Sequence, residues 1–224
     1  MKFKILTLAA FLFASSVFSY SYNAFSISTG EKTLILNPYF AADGLGGYAN
    51  ELFLAYGVTD KIDIWSDINM YPSNGMISVD FSTMVRYDIG KSNIIACRFG
   101  PKYVSPQYHL TLENDAFAFQ ANIVAQVSYD HYKDPAFYGI LCPVVKLFGG
   151  NMDIFCEVNP GYYMFNLDIA NLWPRPEGFG LDIVPGIGFA IKDALFSVSC
   201  PIYDVTNDAS PTFGMWWALP IKFN

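Results

Sequence analysis

Charge is scarce in this chain of 224 residues: Asp, Glu, Lys and Arg make up 15% of it, with 13 basic residues against 20 acidic. Phosphate binding needs clustered Lys and Arg, so nucleic acid is not an expected partner. Histidine is rarer still, at two residues. The four cysteines, Cys97, Cys142, Cys156 and Cys200, form no CxxC pair and have no adjacent histidine, which argues against a zinc site. Their spacing leaves disulfide pairing open, although an exported chain would permit it. No GxSxG elbow, phosphate loop or metal constellation occurs, and the glycines Gly44, Gly46 and Gly47 precede no helical pattern. No cofactor is expected.

Long apolar runs are also missing beyond the first segment. The best candidate for a spanning helix, Phe137 to Phe148, holds Lys146 and Pro143, and a helix interior rejects proline. Residues 1–19 read instead as a secretory signal: Lys2 and Lys4 give a basic start, Ile5 to Phe18 an apolar stretch, and Val17 and Ser19 small residues before a cut. That stretch falls short of the roughly 20 residues a membrane-spanning helix requires. The mature chain is expected over residues 20–224, as one unit with no linker.

What the sequence has in quantity is apolar and aromatic side chains, 53% and 17% of all residues. They are arranged with period two. Ile77, Val79, Phe81, Val85 and Tyr87 alternate with Ser78, Asp80, Ser82, Arg86 and Asp88, and similar stretches recur from Leu34 to Phe223. Such alternation puts apolar groups on one face of a sheet and polar groups on the other. This is too much apolar surface for one thin soluble core. An inverted arrangement, apolar outside and polar inside, is a β-barrel in lipid.

Turn signals divide the chain into segments joined alternately by tight and longer connections. The tight ones are Thr59 to Lys61, Gly90 to Ser92, Glu113 to Asp115, Gly149 to Asn151, and Lys192-Asp193. Between them lie Ala42 to Gly47, Tyr71 to Gly75, Ser105 to Gln107, His131 to Pro135, Asn166 to Gly178, and Asn207 to Thr212. The expected fold is therefore all-β: a closed antiparallel up-and-down transmembrane barrel of about 12 strands, with both chain ends on the tight-turn side. Aromatic residues gather at the segment ends, as interfacial girdles require. Pro101, Pro143, Pro160, Pro185, Pro201 and Pro220 fall inside the expected strands, and each calls for a bulge or a strand end.

The hairpin Tyr56-Gly57-Val58-Thr59-Asp60-Lys61-Ile62-Asp63-Ile64 resembles the strand, turn, strand unit of Gram-negative outer-membrane β-barrels of the porin and small-transporter type. The resemblance implies a place in the cell outer membrane, contact with its lipid, and insertion by the barrel-assembly machinery. Those proteins end on a strand closing in Phe; here Met215, Trp217, Leu219, Ile221 and Phe223 alternate and Asn224 follows.

Face assignment gives an inward set of mixed sign: Asp63, Asp67, Asp80, Arg86, Arg98 and Lys102 in the first half, then His109, Glu113, Lys146, Asp153, Glu157 and Asp182. A charge in lipid costs several kcal/mol, so these groups are expected to meet water or one another. The function they suit is a passive channel or transporter for small polar solutes. Two alternatives stand beside it. One is a structural or adhesive barrel that binds a partner through outer loops, with the apolar tip Leu172-Trp173-Pro174 in the longest of them. The other is a lipid hydrolase built on His109-Leu110-Thr111, where Thr111 stands in the nucleophile's place; threonine there argues against an enzyme.

Overall fold

The computed structural model describes residues 29–42, 48–73, 76–129, 135–163, 167–169, 173–175, 177–191, 194–202, 205–206 and 213–223. The expected signal segment, His131 and the 207–212 connection lie outside them, as do the Lys192-Asp193 turn and Asn224. Strands run in the order β1 (Thr33–Ala42), β2 (Tyr48–Gly57), β3 (Ile62–Ser73), β4 (Met76–Gly90), β5 (Asn93–Phe99), β6 (Tyr103–Glu113) and β7 (Phe117–Ser128). They continue as β8 (Ala136–Leu147), β9 (Met152–Tyr163), β10 (Leu167–Ile169), β11 (Trp173–Arg175), β12 (Gly178–Ile191), β13 (Ala194–Ser199) and β14 (Phe213–Lys222). All except β10 and β11 form one closed ring, each barrel strand antiparallel to its neighbours. The ring shuts where β1 meets β14, from Thr33 opposite Lys222 to Ala42 opposite Phe213. Closure leaves no unpaired edge, the condition for a sheet to sit in lipid.

The tight turns are held by their own side chains. Thr59 Oγ1 accepts the amides of Lys61 at 3.2 Å and Ile62 at 2.9 Å. Asn114 Oδ1 accepts those of Ala116 and Phe117, both at 2.9 Å, and Asp88 Oδ1 that of Gly90 at 2.6 Å. Gly90 stands at φ 89°, a backbone state that glycine adopts without cost. These turns and the ends of β1 and β14 mark one rim, here the turn end.

The faces follow the alternation. In β4, Val79, Phe81, Val85 and Tyr87 are 59%, 63%, 44% and 43% exposed, whereas Ser82, Met84 and Arg86 between them are 3%, 1% and 1% exposed. The exterior is therefore the apolar surface. Exposed Tyr56, Tyr87, Phe117, Phe148 and Phe223 ring the turn end, and Phe99, Tyr129, Phe137, Tyr162, Phe179 and Phe213 ring the other, the loop end.

Two connections differ from expectation. The link between β5 and β6 is residues 100–102, not Ser105 to Gln107. Ser-Pro-Gln looks like turn chemistry, but Ser105 and Gln107 are buried and belong to the inward row of β6, while Pro106 points outward. Within the 166–178 connection, β10 and β11 pair from Leu167 opposite Arg175 to Ile169 opposite Trp173, so this loop carries a small hairpin of its own.

The prolines are absorbed rather than avoided. Pro101 lies in a turn and Pro201 follows β13, but Pro143, Pro160, Pro185 and Pro220 sit within strands. Between β8 and β9, pairing is interrupted around Pro143 and Pro160, yet Tyr138 opposite Gly161 and Val144 opposite Phe155 keep the same register. A missing donor removes single ladder bonds without shifting the strands. All four cysteines are free thiols, with Cys142 buried.

Candidate pore

The interior of the barrel is built from every second side chain, and it is not uniformly polar. Toward the turn end, Phe53, Ala55, Trp65, Met84, Ala118, Cys142, Val144 and Phe155 form one buried cluster, with Ile35, Ala96, Leu195 and Ala218 against it. These residues come from ten of the twelve barrel strands, so together they make an apolar layer, here the septum, inside the barrel. Phe53 meets Trp65 edge-on at 6.2 Å between ring centroids. The septum had a signal: Leu52-Phe53-Leu54-Ala55 and Val144-Val145 are apolar on both faces, as strands covered on both sides are.

Three walls surround the septum. On β3, β4 and β5 the charges meet in pairs. Arg86 Nε lies 3.2 Å from Asp63 Oδ1, both side chains almost fully buried. The Arg86 guanidinium also stacks over Trp65 at 4.5 Å. Further along, Arg98 Nη1 reaches Asp67 Oδ2 at 2.6 Å, while the Ser82 hydroxyl donates to Asp67 Oδ1 at 2.5 Å. Strand register places the first pair directly, Asp63 opposite Arg86, whereas the second spans β4: Asp67 sits opposite Ser82, and Arg98 on β5 opposite Met84.

The second wall, β6 and β7, is uncharged. Ser105, Gln107, His109, Thr111, Gln120, Asn122 and Gln126 are all buried. His109 Nε2 and Gln107 Oε1 lie 3.1 Å apart, and Asn122 Nδ2 donates to the same oxygen at 3.4 Å. His109 and Thr111 share one inward row as their spacing predicts, and the imidazole is engaged by Gln107. The third wall, β9 and β12, lies halfway round the ring from the Arg86 and Arg98 pairs. It carries the buried Glu157, Asn159 and Asp182. Among the described residues, both oxygens of Glu157 and both polar ends of Asn159 have no hydrogen-bond partner, nor does Asn122 Oδ1. Buried polar groups call for a hydrogen-bonding partner, and Glu157 and Asn159 stand two apart on the same inward row.

The remaining sequence-derived positions sit at the rims. Lys146 Nζ donates to Glu113 Oε2 at 2.9 Å at the turn end, with Asp153 half-buried in register with Lys146. Lys102 is exposed in the 100–102 turn, beyond the strands, where alternation assigns no face. The side chain of Asp80 lies outside the described residues.

No protein-family model matches the sequence, and no curated protein matches it. Solved structures do. The chain resembles the NanC porin with a TM-score of 0.61 and 9% identity, over 83% of this chain and 98% of that one. It resembles an outer-membrane channel of Pseudomonas putida F1 with a TM-score of 0.59 and 7% identity, over 91% of this chain and all (100%) of the other. At such identities the likeness is one of fold: the chain's closed twelve-stranded barrel is similar in architecture to these two structures.

Proposed function

We propose that the protein is an outer-membrane channel through which small polar solutes diffuse. The observation that carries this reading is the inversion of the barrel: Asp63, Asp67, Arg86, His109, Glu157 and Asp182 are buried inside while Val79, Phe81 and Ile123 cover the exterior. An apolar exterior is what a barrel in lipid presents, and a polar interior is what a solute path offers. The likeness to a porin and to a channel supports the same reading. On it, the signal segment is removed on export, the tight turns face the periplasm, and the barrel-assembly machinery and membrane lipid are the partners.

The lumen also carries a charge preference. Arg86 and Arg98 are matched by Asp63 and Asp67, and over the whole chain 20 acidic residues stand against 13 basic ones. Charged lumen walls select ions of opposite sign, so the channel favours cations. The test is current through the refolded protein in planar bilayers. Reversal potentials under a salt gradient should report mild cation selectivity. Anion selectivity removes the preference, and an intact barrel that passes no current removes the channel reading in favour of a binding role for the loops.

A further inference from the structure

Among the buried carboxylates of the lumen, Glu157 stands apart. Asp63 has Arg86 at 3.2 Å and the Thr29 amide at 2.9 Å, and Asp67 has Arg98 at 2.6 Å and the Ser82 hydroxyl at 2.5 Å. Glu157 is 0% exposed, and among the described residues neither of its oxygens accepts a hydrogen bond. Asn159, next in the same inward row of β9, is 6% exposed and likewise has no partner at Oδ1 or Nδ2. The Asn159 side chain faces the Glu157 carboxylate, but no contact between them meets hydrogen-bond geometry. A carboxylate desolvated in this way keeps its cost until a cation or a set of donors meets it.

Register supplies the surroundings. On β12, Val184 sits opposite Glu157, and the buried Asp182 opposite Asn159. On β8, the register that sets Leu141 opposite Val158 brings the buried Cys142 beside Glu157 and Ile140 beside Asn159. Toward the turn end, the next inward residue of β9 is Phe155 of the septum. Toward the loop end, the next inward positions of β9 and β12 are Gly161 and Gly180, opposite each other and without side chains. None of these neighbours is basic. Three acceptor atoms on one inward row, two of Glu157 and one of Asn159, are therefore without donors, and a primary ammonium brings three N–H donors together with the matching charge. Asn159 Nδ2 is left to donate to an oxygen of the same solute. A divalent metal ion suits the place less well, since it takes about six oxygen ligands or more, and the described residues hold no group of three or more His, Cys, Asp or Glu able to bind one.

We propose that Glu157 and Asn159 form a binding site inside the barrel for a small organic solute carrying a primary ammonium group with a hydroxyl or carbonyl oxygen near it. The site rests on the channel reading only for the passage of that solute; its occupancy is a separate claim. The probe is isopropanolamine, added to the full chain refolded in phosphatidylcholine vesicles, and the readout is the urea midpoint of unfolding, which rises when a ligand binds the folded state alone. The midpoint should rise saturably with isopropanolamine and stay level with equal concentrations of isopropanol, tetramethylammonium or sodium, each of which lacks either the charge or the N–H donors. Glu157→Gln, which keeps the shape and removes the charge, should weaken the apparent affinity about tenfold or more, the loss of a hydrogen bond to a charged group. If Glu157→Gln does not fold, the comparison of the four probes on the unaltered chain decides by itself. A midpoint that ignores isopropanolamine or follows every cation alike, or an affinity unchanged in folded Glu157→Gln, overturns the site whatever the currents show. A saturable, isopropanolamine-specific rise in a barrel that passes no bilayer current keeps the site and removes the channel.

Discussion

Arg86 is the side chain whose removal the structure makes most costly. Its guanidinium is 1% exposed, 3.2 Å from a carboxylate that is itself 3% exposed, and stacked on Trp65. Replacing it with methionine keeps much of the volume over the indole but strands Asp63 in a site closed to water. Taking one partner from a buried pair costs about 3–5 kcal/mol, because the remaining charge keeps its desolvation penalty and loses its attraction. At about 1.4 kcal/mol per tenfold, that lowers the folding equilibrium by about two to three and a half powers of ten. Asp63→Asn combined with Arg86→Met removes both charges and leaves an amide oxygen for the Thr29 amide. The double variant should recover most of the loss, giving a coupling of about 2 kcal/mol or more. Reversible urea unfolding in lipid vesicles, followed by tryptophan fluorescence, measures all four corners of the cycle. Glu113→Gln is the internal control: Glu113 is 55% exposed in its contact with Lys146, and such a pair is worth about 1 kcal/mol or less. If Arg86→Met costs no more than Glu113→Gln, or the two changes at Asp63 and Arg86 add, the buried-pair argument is refuted.

Phe81, 63% exposed in the middle of β4, tests the outer face. Phe81→Arg should cost about 2–4 kcal/mol in vesicles, the penalty for a cation at mid-bilayer; an unchanged unfolding midpoint would show that this face does not meet lipid. Met84→Ala tests the septum: it should destabilise the barrel by about 2–5 kcal/mol as a buried cavity does, and raise bilayer conductance if the septum sets the narrowest passage. Stability lost with conductance unchanged would place the narrowest point elsewhere.

The inside-out arrangement was legible because alternation is local. A strand has two faces, and Val79, Phe81 and Val85 against Ser82 and Arg86 state which is which without reference to any other strand. The tight turns were legible for the same reason, since Thr59 and Asn114 bond amides two and three residues away. The inward row of β6 is legible only in part: alternation assigns His109 and Glu113 to it, but Ser105-Pro106-Gln107 carries a turn-like composition that outweighs a short stretch of alternation.

The sequence by itself determined strand periodicity, the number of strands and which side of each is greasy, because these depend on neighbours one to four residues apart. Only closure decided which inward side chains meet. Asp63 finds Arg86 through the register of β3 on β4, Asp67 finds Arg98 over the intervening β4, and Phe53, Met84, Cys142 and Phe155 join one cluster because a closed ring gathers the inward rows of strands distant in sequence. The close approach of Gly30 to Gly57, where a Cβ on Gly57 would stand 1.6 Å from Gly30 O, is likewise tertiary, since it depends on the start of β1 lying beside the end of β2.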